Sequence, residues 1–199
     1  MAANGAEPLS TQRTGVIILA ILTFAAMMLW SQGRVWTCPA GDWWMPWAWN
    51  IWTQHNSQHL IDPYSFTHVL HGIVEFWLIT LLFGRWVPLR WRLVMALGIE
   101  ATWEMVENSA AVIQHYRAET ISLDYFGDSI INSLSDITCC AIGFVLGYKL
   151  RVWKSALAFV ATELILIFTI HDSLIINIIM LLLPIPSVKE AIKHWQMGM

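Results

Sequence analysis

Three glutamates stand in one apolar stretch of the sequence, at positions that a helix would align. Glu100, Glu104 and Glu107 are spaced i, i+4 and i+7, so a helix through them carries three carboxylates on one face. Like charges at this spacing repel one another. The arrangement is tolerable if some carboxyls are protonated, if a cation neutralises them, or if another helix supplies hydrogen-bond donors.

Two further stretches carry polar side chains that could meet these glutamates. His68, His71 and Glu75 are spaced i, i+3 and i+7 and therefore share one helix face. Asp62, followed by Pro63, predicts the N-cap of this helix. A second series repeats at intervals of four residues and predicts a polar stripe along one helix: Asp124, Asp128, Asn132 and Asp136.

Imidazole and carboxylate groups support a divalent-metal site, general acid and base catalysis, or a proton relay. The sequence contains no nucleophile elbow, HExxH zinc pair, Walker loop or dinucleotide fingerprint. The expected metal ligands are His68, His71, Glu104, Glu107, Asp124 and Asp128. The expected catalytic carboxyl groups are Glu100, Glu104, Glu107, Asp124, Asp128 and Asp136. The expected substrate-binding residues are Arg117, Asn108 and Asn132.

The composition indicates the class of protein that contains these residues. Of the 199 residues, 57% are hydrophobic and only 13% are charged, which excludes a disordered chain and favours a membrane protein. A net charge of −3 with 11 Lys and Arg argues against a nucleic-acid partner. Three Cys are too few for a disulfide scaffold, and neither Cys38 nor the adjacent Cys139 and Cys140 has zinc-site spacing.

Hydrophobic runs predict an all-α, polytopic transmembrane helical bundle in a single domain, residues 1–199. A span needs about 20 apolar residues. Five runs come close to this length and are expected to be full spans, at residues 15–30, 68–83, 93–113, 130–148 and 156–170. A shorter sixth run, at residues 174–185, is either a tilted span or a re-entrant segment, and we expect a short sixth span. Gly143 and Gly147 form a small-xxx-small pair where two helix backbones can approach closely.

The distribution of Lys and Arg predicts the orientation of these spans. With alternating loops, nine basic residues fall on one side and only Arg34 and Arg117 on the other, which places both termini in the cytoplasm. The expected cytoplasmic tails are residues 1–14 and 186–199. No small-residue cleavage site follows the first run, so we expect an uncleaved anchor rather than a signal peptide.

The first external loop, residues 31–63, is rich in tryptophan. Its six indoles are Trp36, Trp43, Trp44, Trp47, Trp49 and Trp52. Indole rings prefer the headgroup region of a bilayer, so we expect a periplasmic loop lying at the membrane interface. The less favoured interpretation is a platform on which a sugar or a cofactor ring stacks.

Ionisable residues inside spans are costly, and three separate charged faces against lipid would cost several kcal/mol each. We therefore expect the Glu100 face, the His68 face and the Asp128 stripe to meet in one polar cluster. Short connections between the second, third and fourth spans allow this. The prediction requires Glu104 to lie within roughly 20 Å of both His71 and Asp128.

Long motifs resemble an uncharacterised alphaproteobacterial multi-pass inner-membrane family of unknown function, over about residues 34–197. They lie at residues 56–60, 62–72, 103–108, 116–129 and 132–136. A more distant similarity is to VanZ-like membrane proteins. It rests on the order of the motifs: a helix with Asp and His, a helix with Glu, an Arg, and then a helix with Asp, Asn and two Gly residues. This similarity implies a cell-envelope role by analogy. The loop after Cys38 departs from the family pattern, because it has many Trp where a second Cys is expected. This departure argues against a loop disulfide or a loop metal site.

These observations lead to three functional hypotheses. The first is an inner-membrane protein whose periplasm-facing His, Asp and Glu site holds a divalent metal ion and processes a lipid or lipid-linked envelope substrate. In that hypothesis Arg117 contacts the anionic head group, and membrane lipids are the partners. The second is a transporter that uses the same residues as a proton relay. The third is a non-catalytic assembly or envelope-stability factor, in which the polar groups only hold helices together.

Overall fold

The computed structural model describes residues 9–122 and 125–198, and these residues form eight helices. In chain order the helices are α1 (Thr11–Ser31), α2 (Ser65–Phe83), α3 (Leu89–Glu107), α4 (Ala110–Glu119), α5 (Ile130–Lys149), α6 (Val152–Ile170), α7 (Leu174–Leu182) and α8 (Pro186–Met197). Among the described residues, strand-like pairing is limited to one isolated bridge between Trp47 and Ile61. The all-helical prediction is therefore confirmed.

Four helices, α1, α2, α5 and α6, are long and apolar enough to cross a membrane. They match the runs predicted at residues 15–30, 68–83, 130–148 and 156–170 to within a few residues at each end. Isolated spans are stable only if each backbone group is paired within its own helix, which a continuous helix achieves. The chain is therefore a membrane protein by the length and hydrophobicity of its helices.

The third predicted span, residues 93–113, is not one continuous helix. Helix α3 ends at Glu107, Asn108 follows as its C-cap, and α4 begins at Ala110. The Ser109 side chain accepts a hydrogen bond from the Val112 N–H at 3.4 Å, which caps the start of α4. Helix α3 has 19 residues but is not among the four apolar helices, since it carries the three glutamates.

Helices α2 and α5 form the closest helix pair, and glycines make the approach possible. A Cβ atom at Gly143 would meet the Val69 carbonyl group of α2, and one at Gly72 would lie 2.6 Å from the Phe144 nitrogen of α5. The predicted small-residue contact at Gly143 is therefore confirmed. Helix α3 packs against α1, α2 and α5, so its glutamate face is enclosed by the other helices.

The start of α5 differs from the predicted stripe. Ser129 is the N-cap residue, and its side chain accepts a hydrogen bond from the Asn132 N–H, so α5 begins at Ile130. Asp128 therefore precedes the helix, and the interpretation of Asp128 to Asp136 as one helical stripe is wrong. Asp124 lies outside the described residues.

The sixth hydrophobic run forms a short helix within a hairpin. Helix α7 has nine residues, about 13 Å of helix, which is less than half of a bilayer core. Helix α8 then returns, because the Gln196 side-chain amide donates a hydrogen bond to the His171 carbonyl at the end of α6. Helix α7 is therefore not among the helices long enough to span a bilayer, and α8 returns the chain to the end of α6 where α7 begins.

Candidate functional site

The imidazole of His68 lies at the centre of a buried polar cluster between α2, α3 and α5. Its Nδ1 atom is hydrogen-bonded to Glu100 and lies 3.4 Å from Oε1 of Glu104. Its Nε2 atom is 3.8 Å from Oδ2 of Asp136. All four side chains are buried, so bulk water does not screen these charges. One imidazole therefore connects carboxylates from two other helices.

His71 extends the cluster one turn further along α2. Its Nδ1 atom lies 3.1 Å from Oε2 of Glu100, and its ring centroid is 5.0 Å from that of His68. Glu75 lies one more turn along, where the Cys140 thiol donates a hydrogen bond to it at 3.2 Å. The polar groups therefore continue as far as the middle of α2.

Several carboxylate oxygens of the cluster lack a hydrogen-bond donor. Among the described residues, both oxygens of Glu104 and Oδ1 of Asp136 have no hydrogen-bond partner, although Glu104 is completely buried. Buried oxygens without a donor are costly, so a proton, an ordered water or a bound cation must satisfy them. One ligand atom each from His68, Glu104 and Glu107 lie within 4.8 Å of one another, which is close enough to surround an ion.

Asp128 is held at the edge of the cluster by a complete set of hydrogen bonds. Its Oδ2 accepts from the Asn108 amide at 2.8 Å, and its Oδ1 accepts from the Tyr125 hydroxyl at 2.8 Å. The Asp128 N–H donates to Oδ1 of Asn108 at 2.6 Å, so the Asn108 amide is bonded to it twice. Burial raises the pKa of the Asp128 carboxyl, and the hydrogen bonds from Asn108 and Tyr125 oppose this rise. Both carboxylate oxygens of Asp128 already have donors, so Asp128 holds Asn108 and Tyr125 in position.

Asn132 joins the cluster to the long loop at residues 32–64. Its side-chain amide donates a hydrogen bond to the His59 carbonyl at 2.8 Å and lies 3.4 Å from Oδ2 of Asp62. Asp62 also accepts hydrogen bonds from the N–H groups of Tyr64 and Ser65. It is not the predicted N-cap, because α2 begins at Ser65 and Tyr64 is its N-cap residue. Burial and the nearby Asp128 charge raise the pKa of Asp62 to about 6.

A cavity of about 530 Å³ opens beside Asp128, at the end of the bundle where residues 32–64 lie. Arg34, Gln58 and Tyr125 line it together with Asp128. Arg34 donates a hydrogen bond to the Phe126 carbonyl, and its Nε–H has no partner among the described residues. The basic residue of this cavity is thus Arg34, which the sequence analysis did not select.

Arg117, the predicted anion-binding residue, lies beside Phe126, which lines the cavity. Its guanidinium carbon lies 5.1 Å from the centroid of the Phe126 ring, and Arg117 does not line the cavity. Arg117 therefore neighbours the cavity only through Phe126. The substrate-binding role of Arg117 stays a prediction.

The predicted convergence of the three faces is confirmed. His68 contacts both Glu100 and Glu104. One Asn108 amide donates hydrogen bonds to the Glu104 carbonyl at 3.1 Å and to Asp128. Glu104 is thus well within 20 Å of His71 and Asp128, as the prediction required. The catalytic and metal-binding roles of these residues stay predictions.

A family model described as "Protein of unknown function (DUF2585)" matches residues 29–198. A UPF0314 protein of Brucella anthropi is 42% identical over 99% of this chain and 98% of its own length. The chain belongs to this family. A UPF0314 protein of Paracoccus denitrificans is 42% identical over 89% of each chain, and one of Rhizobium meliloti is 38% identical over 98% of each chain. No solved structure matches the chain. The resemblance to an uncharacterised alphaproteobacterial family is therefore confirmed.

The names of these family members state no activity, so the chemistry must be argued from the residues of this chain. A second group of potential ligands, absent from the sequence prediction, lies in the loop: Cys38, Asp42, His55 and His59. A signal for it exists in the sequence, since Cys38 and Asp42 are four residues apart and His55 and His59 are also four apart. Only the path of the loop brings the two pairs together.

Proposed function

We propose that this protein binds a divalent cation in the His68 cluster and acts on the head group of an anionic amphiphile, such as a lipid-linked phosphate or a phospholipid. The carrying observation is the set of donor-free carboxylate oxygens on Glu104 and Asp136 beside His68. Carboxylate and imidazole are common ligands of divalent metal ions, and a bound ion can activate water or polarise a phosphoryl oxygen.

The proposed ligands are His68, Glu104 and Glu107, whose ligand atoms can surround one ion. Glu100 holds His68 by a hydrogen bond to Nδ1 when no ion is bound, and because Nδ1 also faces Glu104, an ion bound there would replace that hydrogen bond. Asp136, near Nε2 of His68, is the proposed proton carrier. This assignment keeps the predicted metal role of Glu107 and replaces Asp128 as a ligand, since both Asp128 oxygens accept hydrogen bonds.

An anionic head group is supported by the position of Arg34. Arg34 lines the same cavity as Asp128. The Asn108 side-chain amide joins Asp128 to the backbone carbonyl of Glu104. A guanidinium group with an unpaired N–H is well suited to a phosphate oxygen. A site at one end of apolar helices suits a substrate whose head is polar and whose tails stay in lipid.

The proposed topology has five crossings, made by the four apolar helices and α3, with the Trp-rich loop and the cavity on the periplasmic side of the inner membrane. Basic residues on the opposite side support it: Arg13, Arg85, Arg90, Arg92, Lys149, Arg151 and Lys154. Because α8 contacts the His171 end of α6, this topology places the C-terminal residues 186–198 with the periplasmic loops. It differs there from the cytoplasmic tail expected from Lys189 and Lys193.

Metal analysis of the full-length protein in detergent tests the cation site. Compared with wild type, His68→Ala and Glu104→Gln should each lose about one equivalent of bound divalent metal. His194→Ala and Glu190→Gln are matched controls on α8, where Glu190 is exposed and outside the cluster, and they should retain the wild-type content. Folded His68→Ala and Glu104→Gln proteins with unchanged metal content would overturn the proposed site.

Binding of short-chain phosphatidylglycerol, compared with phosphatidylcholine, tests the substrate class. Arg34→Gln should weaken the binding of the anionic lipid by about 10-fold or more, since a charged hydrogen bond contributes about 1.5–3 kcal/mol. Arg117→Gln is the matched control and should bind like wild type, because Arg117 lies outside the cavity. Equal binding of the two lipids by wild type would contradict an anionic head group.

A second candidate function, a proton-coupled transporter, is favoured by the inward extension of the cluster through Glu75 and Cys140. Below Glu75, however, a buried apolar layer separates the cluster from the other end of the bundle. This layer consists of Phe76, Ile79, Ala96 and Phe144. Proteoliposomes with a pH gradient distinguish the two functions, because flux above that of a Glu75→Gln variant would support transport and background flux would exclude it.

A further inference from the structure

Four potential metal ligands converge in the loop between α1 and α2, outside the His68 cluster. The Nδ1 atom of His55 lies 3.6 Å from the Cys38 sulfur, 3.1 Å from Oδ2 of Asp42 and 3.2 Å from Nε2 of His59. Nε2 of His59 is in turn 3.6 Å from Oδ2 of Asp42. One ligand atom from each of the four residues lies within 4.8 Å of the others.

These separations match a tetrahedral ion. Zinc binds Cys sulfur at about 2.3 Å, His nitrogen at about 2.0–2.1 Å and carboxylate oxygen at about 2.0–2.2 Å, so tetrahedral ligands lie roughly 3.3–3.6 Å apart. Two of the four distances, both 3.6 Å, lie within this range, and the other two, 3.1 and 3.2 Å, lie just below it. The geometry points to a structural zinc site formed by Cys38, Asp42, His55 and His59.

The same residue types could instead form a Cys, His and Asp catalytic triad, but the geometry argues against it. In a triad, one imidazole nitrogen faces the nucleophile and the other faces the carboxylate. Here the Cys38 sulfur and the Asp42 carboxylate both lie next to the same atom, Nδ1 of His55. A metal ion requires several ligand atoms that converge on one position, as these atoms do.

The environment of His59 is an independent observation that supports a metal site. Its Nδ1 atom is 2.8 Å from the Met45 carbonyl, so this nitrogen carries the proton and donates. In the neutral ring, Nε2 is then the nitrogen with a free lone pair, and it faces Asp42 and His55. Metal-binding histidines are usually fixed by such a hydrogen bond, and the His59 side chain is only 1% exposed.

The backbone around His59 is also anchored before any ion is added. The Asn132 side chain donates to the His59 carbonyl, and the Ser129 N–H donates to the Ser57 carbonyl at 2.9 Å. Oδ1 of Asp42 has no hydrogen-bond partner among the described residues. Two ligands thus come from an anchored turn at His55 to His59, and two come from the segment of Cys38 to Asp42.

A zinc ion at this position would join two distant parts of a loop that has no helix among its described residues. Pro39 and Ala40, next to Cys38, line the cavity that Arg34 and Asp128 also line. The ion therefore fixes one wall of that cavity and does not take part in the chemistry proposed for the His68 cluster. This inference stands whether or not the proposed function is correct.

Cobalt substitution in the purified full-length protein tests the site, because thiolate ligation of Co²⁺ gives a charge-transfer band and tetrahedral ligand-field bands. Wild type should show both bands with one equivalent of Co²⁺, and Zn²⁺ should displace them. Cys38→Ser should lose the charge-transfer band. Cys139→Ser is the matched control. Cys140→Ser removes the thiol that is hydrogen-bonded to Glu75, and both variants should retain the charge-transfer band.

A second measurement keeps the test valid if Cys38→Ser fails to fold. His59→Ala, which retains the thiol, should lower Co²⁺ affinity at least 10-fold and weaken the tetrahedral bands, while His68→Ala leaves them unchanged. In wild type, a strong chelator should make the loop at residues 39–55 sensitive to protease, and Zn²⁺ should restore protection. A wild-type protein without the charge-transfer band, or a band that His59→Ala does not affect, would overturn the site.

Discussion

The contact between α2 and α5 leads to the sharpest stability prediction. A Cβ atom at Gly143 would meet the Val69 carbonyl and lie 3.1 Å from the Gly72 Cα atom, so both obstacles belong to the α2 backbone. At Gly98 on α3 the same atom would meet nothing within 4 Å. Alanine should therefore destabilise the protein at the first position and not at the second.

The magnitude follows from two opposing effects. Replacing helical Gly by Ala gains about 0.8–1.0 kcal/mol from helix propensity. Overpacking against a fixed backbone costs about 1–3 kcal/mol and can cost more. At Gly98 only the gain applies, whereas at Gly143 the backbone clash dominates. A change of 1 kcal/mol shifts the melting temperature by about 2–4 °C for chains of this size, so Gly143→Ala should melt several degrees below Gly98→Ala.

Thermal unfolding in detergent, followed by tryptophan fluorescence, measures this difference. Gly147→Ala should fall between the two, because its added Cβ would meet only the Phe76 side chain, at 2.9–3.1 Å. Separating α2 from α5 also moves His68 away from Asp136, its proposed proton carrier. Equal melting temperatures for Gly143→Ala and Gly98→Ala would refute the close approach of the two helices.

Three further predictions concern α7, the pH dependence of stability and topology. Glu163 accepts hydrogen bonds from the N–H groups of Leu174 and Ile175, both at 3.1 Å, so Glu163→Ala should destabilise α7 by about 2 kcal/mol or more, seen as faster hydrogen exchange there than in wild type. Burial raises the pKa of Asp172 to about 6, so the folded state binds its proton more tightly; stability should fall as pH rises from about 4 to 6, and Asp172→Asn should flatten this slope in melting experiments. An unchanged slope would contradict that assignment. A periplasm-specific reporter enzyme fused after Gln196 should be active, and a cytoplasmic signal would contradict the five-crossing topology.

Features that depend on local spacing could be predicted from the sequence. The four apolar helices follow from runs of apolar residues, because a span must pair every backbone group within itself. The alignment of Glu100 with Glu104 follows from helical periodicity. Their meeting with His68 could be expected because burying polar faces together costs less than burying them separately.

Features that depend on how segments turn relative to one another could not be predicted. Apolar residues lie on both sides of Glu107, Asn108 and Ser109 and suggest one span, yet the chain ends one helix and caps another there. Asp128 has the spacing of a helical residue, but the N-cap at Ser129 places it in the preceding loop.

The loop shows most clearly what tertiary structure alone decides. Cys38 and His59 are separated by residues with no regular periodicity, so their distance depends on the path of the chain between them. Contacts with α5 determine that path, through the hydrogen bonds of Asn132 and Ser129 to residues 57–59. The amino-acid sequence by itself determines which helices form and which of their faces are polar, because those depend on neighbours within a few residues. The tertiary structure decides which loop residues share a site and which arginine lines the cavity, because those depend on contacts between residues far apart in the chain.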